Sequence, residues 1–224
     1  MTAKIVEIFH SLQGEGLYVG EPMTFVRFLG CNLFCSYCDT LYARDEKRAA
    51  DMTADQVLAA VALSAKPGQF VSLTGGEPLL WTDFCAELIP KLRTKGLKTY
   101  LETNGTMVKE MARLDGLADV VAMDIKPPSD CGQDLWRAHR EFLALIKDRA
   151  FVKIVITSTI QPAEVERAVE LVAEAGPAIP LVLQPAAGDL APDMGLARKY
   201  LARASERLSD VRIVSQMHKV WQVR

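Results

Sequence analysis

The sequence predicts an α/β fold of parallel strand–helix units, and three observations lead there. Short apolar runs rich in β-branched residues alternate with amphipathic stretches along the chain. Several amphipathic stretches carry helix start and stop signals. Unusual polar residues fall at the ends of successive apolar runs, and all strand C-termini of a parallel βα barrel open on one face. No low-complexity segment, tandem repeat or linker interrupts the pattern, so residues 1–224 read as one domain.

The runs 4–9 and 22–29 read as the first strands. Residues 53–65 read as a helix. Thr53 and Gln56 fit a capping box, and Val57, Leu58, Val61 and Ala65 give one apolar face. A strand over 70–74 is followed by a helix over 82–95, inside which Pro90 is expected to cause a kink or an early end, because it has no N–H to donate. Strand 97–102, helix 106–114, strand 119–124 and helix 134–148 continue the alternation. Strand 150–157 leads into helix 162–175, where Pro162 suits the first turn and Gly176 the stop. Strand 180–184, helix 193–208 and strand 210–214 complete the series.

Composition excludes several functions. Half of the 224 residues are hydrophobic, enough for a sizeable core without disulfides. The 26 Lys and Arg nearly balance the 28 Asp and Glu, so the net charge of −2 leaves no footprint for nucleic acid or an anionic membrane. No apolar run approaches the ~20 residues needed to span a bilayer. The N-terminus lacks the long apolar stretch of a signal peptide, so a cytoplasmic protein is expected. Five cysteines are an odd count and argue against a disulfide framework. Cys85 and Cys131 stand alone and read as inert thiols.

Polar residues mark five strand ends. Arg27 and three cysteines close the run 22–29, and Thr74-Gly75-Gly76-Glu77 follows 70–74. Glu102-Thr103-Asn104 ends 97–102, Asp124 and Lys126 end 119–124, and Gln184 ends 180–184. They read as one site. Lys153, in the run FVKIVI, can point inward but has no assigned role.

Cys31, Cys35 and Cys38 form C-x3-C-x2-C. Three thiolates can hold an iron–sulfur cube and leave one iron open for an exogenous amine and carboxylate, whereas an electron-transfer ferredoxin uses four. A structural zinc site would need a fourth ligand, with His10 and His218 the only distant candidates.

With Thr74-Gly75-Gly76-Glu77-Pro78 added, the chain resembles the radical S-adenosylmethionine (SAM) superfamily, whose GGEP motif binds the SAM amine. The resemblance implies a partial, trimmed (β/α)6 radical SAM barrel, a 4Fe–4S cluster on Cys31, Cys35 and Cys38, and SAM cleavage to methionine and a 5′-deoxyadenosyl radical. By the same resemblance SAM meets Tyr37, Cys38 and Asp39 at its adenine. Gly75, Gly76 and Glu77 meet its amine, Glu77 either positioning the ammonium or holding the loop. Glu102 and Asn104 meet the ribose or methionine, Asp124 and Lys126 lie at the SAM site with Lys126 pairing the carboxylate, and Gln184 makes a further SAM or adenosine contact. Unblocked backbone at Gly75 and Gly76 suits close approach to a ligand.

The run Glu7-Ile-Phe-His-Ser-Leu12-Gln13-Gly14-Glu15-Gly16, the segment from Arg27 to Thr40, ETNGT and Gln216-Met-His218-Lys219 narrow this further. They resemble the 7-carboxy-7-deazaguanine synthase family, lyases of queuosine and other 7-deazapurine pathways, with queuosine a tRNA modification. The implied reaction contracts 6-carboxy-5,6,7,8-tetrahydropterin to 7-carboxy-7-deazaguanine with loss of ammonia, and regenerates SAM. Leu12, Gln13, Gly14, Glu15, Arg27, Thr74 and His218 are implied at the substrate. Gln13 and Glu15 suit the pterin edge, rich in donors and acceptors, and Arg27 suits a carboxylate. His218 read alone is as well explained as a packed or solvated residue. Thr40 is the implied Mg²⁺ ligand; alone it reads as a turn cap. A reducing flavodoxin or ferredoxin-type donor and a homodimer are implied too. The alternative is a glycyl-radical enzyme activating enzyme, which would share the cysteines and GGEP but act on a protein. No role is carried over to the terminal Val220–Arg224, where this chain departs from its family.

Overall fold

A computed structural model describes residues 1–223, leaving Arg224 outside the described residues. The strands are β1 (Thr2–Leu12), β2 (Pro22–Phe28), β3 (Ala50–Thr53), β4 (Phe70–Gly75), β5 (Lys98–Thr103), β6 (Val120–Ile125), β7 (Ala150–Ile156), β8 (Leu181–Pro185) and β9 (Val211–Ile213). The helices are α1 (Ala54–Ala62), α2 (Thr82–Thr94), α3 (Val108–Ala112), α4 (Pro128–Cys131), α5 (Trp136–Ile146), α6 (Pro162–Ala175), α7 (Met194–Ser205) and α8 (Met217–Trp221).

All nine strands form one sheet in the order β3-β1-β2-β4-β5-β6-β7-β8-β9. β1 pairs antiparallel with β2 and β3, and every pairing from β2 to β9 is parallel. The result is the trimmed partial barrel that the resemblance implies. The trimming is visible in α3, which keeps only five residues of the predicted helix 106–114.

Strand alternation builds two layers on the inner face, because successive side chains point to opposite sides. Val71 and Leu73, Leu101, Val121 and Met123, Val152 and Ile154, and Leu181 and Leu183 all join the core beneath the helices. On the other face, Phe25, Tyr100, Ala122, Phe151 and Val182 pack into a small apolar cluster. Two residues further along each strand stand Arg27, Glu102, Asp124, Lys153 and Gln184, and all five line one cavity. An apolar floor thus lies under a polar layer, and the inward direction of Lys153 follows from the register that buries Val152 and Ile154 behind it.

Several local expectations stand. The Thr53–Gln56 capping box is complete, with bonds of 2.8 and 3.2 Å. Pro162 begins α6, and Gly176 caps its end. One expectation is corrected in part: of the kink or early end expected at Pro90, the early end is not found. The helix α2 runs on through Pro90 to Thr94. Pro90 is exposed, while Phe84, Cys85, Leu88, Ile89 and Leu92 on both sides of it are fully buried. Burying such side chains stabilises by about 1.5–3 kcal/mol each, which outweighs the ~3 kcal/mol cost of one internal proline. The strand β3 was not expected. Its four residues ADMT lie at the sheet edge with little apolar content, and pairing with β1 alone defines it. Among the described residues no helix is long and apolar enough to cross a membrane.

Candidate active site

The polar ends of the parallel strands converge on a cavity of about 460 Å³. It is lined by Cys31, Cys35, Cys38, Thr40, Gln13, Glu15, Arg27, Thr74, Glu102, Asn104, Asp124, Lys126, Gln184 and His218 among others. The expectation of a single site at the strand ends is met.

The cysteine loop follows β2 and is pinned from three sides. The Gly30 N–H donates to the Ala43 carbonyl at 2.8 Å, and the Gly30 carbonyl accepts from the Glu77 N–H at 2.8 Å. Arg44 donates to the Cys31 carbonyl at 3.1 Å and to the Leu33 carbonyl. The Ser36 N–H donates to the Asp130 carbonyl at 2.9 Å. Burial pushes the Cys31 thiol up and the Cys35 thiol up to about 11, so metal binding there must release protons. Cys85 is fully buried, and the Cys131 thiol is engaged by the carbonyls of Lys126 and Gln133 at 3.6 and 3.5 Å. His10 is turned to Thr24 at 3.1 Å and does not line the cavity, so it offers no fourth ligand to the cysteines.

The Gly-rich turn serves this loop. A Cβ on Gly76 would stand 1.9 Å from the Gly30 carbonyl oxygen, and one on Gly75 would stand 2.5 Å from the Phe28 oxygen. The two missing Cβ atoms therefore make room for β2 and the cysteine loop, rather than only for a ligand. Glu77 is corrected to the second of its two readings. Its side chain is fully buried and accepts from Leu79 N–H at 3.1 Å, Asn104 N–H at 2.8 Å and Thr103 Oγ1 at 2.9 Å. It holds the loop and does not line the cavity. Burial pushes its carboxyl up to about 7 against the pull of these donors.

Asn104 stands beside the cysteines, with Nδ2 2.8 Å from Asn32 Oδ1 and 3.9 Å from Cys31 Sγ. Lys126 donates to Asp124 at 2.8 Å and to the Tyr37 hydroxyl at 3.0 Å. Asp124 Oδ1 and both polar atoms of the fully buried Gln184 have no partner among the described residues. Buried orphans of this kind are costly unless a ligand satisfies them. Three thiols, an orphaned amide and an orphaned carboxylate oxygen around one cavity fit a 4Fe–4S cluster with a polar, zwitterionic cofactor.

On the other side, Glu102 is a hub. It accepts from Gln13 Nε2 at 3.1 Å, Ser72 Oγ at 2.8 Å and Thr74 Oγ1 at 3.2 Å. The structure thus joins Glu102 to Gln13 and Thr74, the residues implied at the substrate, and not to Asn104. Glu15 accepts from Lys153 and from Gln216 Nε2 at 3.0 Å. Arg27 Nε donates to Glu7 at 2.8 Å, and the Tyr42 hydroxyl donates to the same oxygen. Asp39 lies 3.5 Å from both His218 Nε2 and Lys219 Nζ. Asp39 therefore faces the C-terminal segment, although the resemblance places it at adenine. Thr40 sits at the cap position of a turn but makes no capping bond, and its hydroxyl is 3.8 Å from Cys38 Sγ.

The C-terminal segment completes the wall. The Met217 N–H donates to the Gly14 carbonyl at 2.8 Å, and a Cβ on Gly14 would stand 2.5 Å from that of His218. Gln216, Lys153, Glu7, Tyr42 and Arg44 had no assigned role in the sequence. Glu7 and Gln216 lay within the family-like runs without a role of their own, and Lys153 carried a separate signal, a cation on the inward register of an apolar strand.

His139 was likewise unassigned. It is fully buried on α5, with Nε2 3.1 Å from the Asn104 carbonyl. Burial pulls its pKa from 6.5 to about 4, the Asn104 carbonyl pulling weakly the other way. The unfolded chain therefore binds a proton that the folded one refuses, and stability is lost as pH falls from 6.5 towards 4. About 3 kcal/mol is expected to disappear over that window. Denaturant titrations of the wild type and of His139→Gln check this, and an equal acid slope in both would contradict it.

The described architecture and site define a radical SAM enzyme. Residues 25–177 match the Radical SAM superfamily model. The crystal structure of QueE from Escherichia coli superposes with a TM-score of 0.69 at 22% identity, covering 97% of this chain and 95% of that one. The chain is 39% identical to a 7-carboxy-7-deazaguanine synthase of Geobacter sulfurreducens, over 97% of this chain and 96% of the relative. It is 36% identical to the synthase of that name from Methanopyrus kandleri, over 96% and 92%. The chain belongs to the 7-carboxy-7-deazaguanine synthase family. The glycyl-radical activating alternative gains no support from these relatives.

Proposed function

We propose that this enzyme contracts 6-carboxy-5,6,7,8-tetrahydropterin to 7-carboxy-7-deazaguanine with loss of ammonia, in queuosine-type 7-deazapurine biosynthesis. The observation that carries this is the two-sided cavity, with three cysteines on one side and the Gln13–Glu102–Thr74 and Glu15 groups on the other.

When bound, the cluster and SAM supply a one-electron cleavage that furnishes a hydrogen-abstracting radical. Cys31, Cys35 and Cys38 hold the cluster. Asn104, Asp124, Lys126, Gln184 and Tyr37 hold SAM, with Gln184 and Asp124 Oδ1 gaining the partners they lack. The Gly75–Gly76 turn and Glu77 keep that side rigid. On the substrate side, Gln13, Glu15, Thr74 and Glu102 read the amino-pyrimidinone edge, and Leu12 and Gly14 offer backbone groups beside it. Arg27 receives the substrate carboxylate, and His218 closes the cavity. The Thr40 hydroxyl, a hard oxygen with no capping bond, suits a Mg²⁺ ion shared with that carboxylate. The family expectation of a homodimer, a cytoplasmic location and a flavodoxin or ferredoxin-type donor is kept as part of this reading.

Arg27→Ala is expected to raise KM for the pterin about 10- to 100-fold, the worth of a charge-assisted hydrogen bond. Cluster content should be unchanged. Steady-state kinetics with iron analysis check this, and unchanged turnover at limiting substrate would remove Arg27 from the site. The reaction itself is tested by incubating anaerobic, reconstituted protein with the carboxytetrahydropterin, SAM and reductant. Formation of the deazaguanine is expected, and its absence would reject the reading.

A further inference from the structure

Lys153 is a buried cation between the two halves of the cavity. It projects from β7 above the apolar floor residue Phe151, with a side chain only 13% exposed. Its ammonium bonds Glu15 and lies 3.4 Å from Asp124 Oδ2. Burial alone pulls an ammonium down, but Asp124 and then Glu15 outweigh it and hold Lys153 well above its usual range. It is therefore a fixed charge and is unsuited to moving protons at neutral pH.

Its effect falls on Glu15. Burial works against that carboxylate, and Lys153 first, then Gln216 and His218, outweigh it and hold it well below the usual range. Each Glu15 oxygen already has one protein donor, Lys153 on Oε2 and Gln216 on Oε1. A carboxylate has about four acceptor positions, so one remains on each oxygen for a ligand. Two parallel acceptors match a heterocycle that presents two adjacent N–H donors. A protonated Glu15 would offer one donor and one acceptor instead, and would match a different heterocycle.

We propose that Lys153 is a positioning residue for the substrate: its ammonium fixes Glu15 as a two-oxygen acceptor, and so sets the preference for a ring edge with paired N–H donors. This rests on the pterin reading above and assigns its specificity to one cation. Glu102 does not share the role, because its oxygens are bonded by Gln13, Ser72 and Thr74 and, among the described residues, by no cation. Lys126 does not share it either, because its partners are Asp124 and Tyr37 on the cofactor side.

The test uses reconstituted, SAM-loaded protein and two stable probes. These are 6-carboxypterin, which presents the 2-amino and ring N–H pair, and 6-carboxylumazine, which has an oxygen in place of the amino group. Wild type is expected to prefer the pterin at least tenfold by competition binding. Lys153→Met and, as a second uncharged variant, Lys153→Gln should cut that ratio below threefold. In turnover they should raise KM for the substrate by about the same factor and change kcat less. Lys153→Arg should restore the ratio. If the uncharged variants bind both probes more weakly with the ratio unchanged, or bind both as wild type does, the proposal is overturned. If wild type binds neither probe, the pterin reading fails and the proposal with it. Normal wild-type discrimination that survives in the variants would sink the proposal alone.

Discussion

Cys35→Ala is expected to reduce SAM cleavage to the level of a reaction without enzyme, because only two thiolates would remain to hold the cube. The two other thiols in the chain cannot replace it. Cys85 is fully buried on the core face of α2, and the Cys131 thiol is held between the carbonyls of Lys126 and Gln133. His218, the remaining soft donor on the cavity wall, is turned to Asp39. A three-cysteine cluster has no spare protein ligand, since its fourth iron is the one left for the cofactor. The loop is fixed mainly by backbone contacts at Gly30, Cys31, Leu33 and Ser36, so the variant should fold like wild type. Iron content, circular dichroism and methionine release together read the result. Wild-type cleavage in a folded variant would refute the ligand assignment.

Gly76→Ala has the next largest expected effect, and for a different reason. The added Cβ would stand 1.9 Å from the Gly30 oxygen, 2.5 Å from its carbonyl carbon and 2.8 Å from Cys31 Cβ. None of these is a flexible side-chain end. Gly30 cannot retreat, because both of its backbone polar groups are bonded at 2.8 Å, to Ala43 and to Glu77. Ordinary overpacking costs about 1–3 kcal/mol, and a clash with pinned backbone stands at or beyond the top of that range. For a chain of this size a loss of about 3 kcal/mol lowers Tm by roughly 6–12 °C. Cluster retention should fall with it, since the displaced segment carries Cys31. Gly20→Ala is the control. Gly20 has φ of +89° but nothing within 4 Å of an added Cβ, so only about 1–2 kcal/mol of backbone strain is expected. Equal Tm losses in the two variants would contradict the close-approach argument.

These two positions also show what the sequence makes legible. The cysteines and the Gly-Gly-Glu turn are local patterns, and their chemistry can be read from residue type and spacing. The polar strand ends are legible for the same reason. The C-termini of parallel strands open on one face, so Glu102, Asp124 and Gln184 could be grouped from their places at the strand ends. What is not legible depends on contacts made far along the chain. Nothing near Gly14 in sequence says that Met217 and His218 will pack on it. Nothing near Glu15 announces Lys153 and Gln216 as its donors. Glu77 could have faced a ligand or its own loop, and only the positions of Leu79, Thr103 and Asn104 decide. Pro90 does not end α2, because a local rule about hydrogen bonding is set against a packed face on both sides of it.

The same logic explains why the substrate side is harder to read than the cluster side. Its groups come from the turn after β1, from β2, β4, β5 and β7, and from the segment ending in α8, and each carries an ordinary surface-type residue. Arg27, Glu102 and Lys153 join the site because the register places each a step above an apolar floor residue. Glu102 illustrates the point, since the strand end located it correctly and only its three donors place it beside Gln13 and Thr74.

The central claim is an iron–sulfur cube on three thiolates whose open corner accepts SAM. Electron paramagnetic resonance of the anaerobically reconstituted, reduced protein, recorded before and after SAM is added, addresses it directly. A 4Fe–4S signal that changes shape on addition of SAM is the predicted result. A protein that stays colourless and free of iron, or a cluster signal indifferent to SAM, would contradict it.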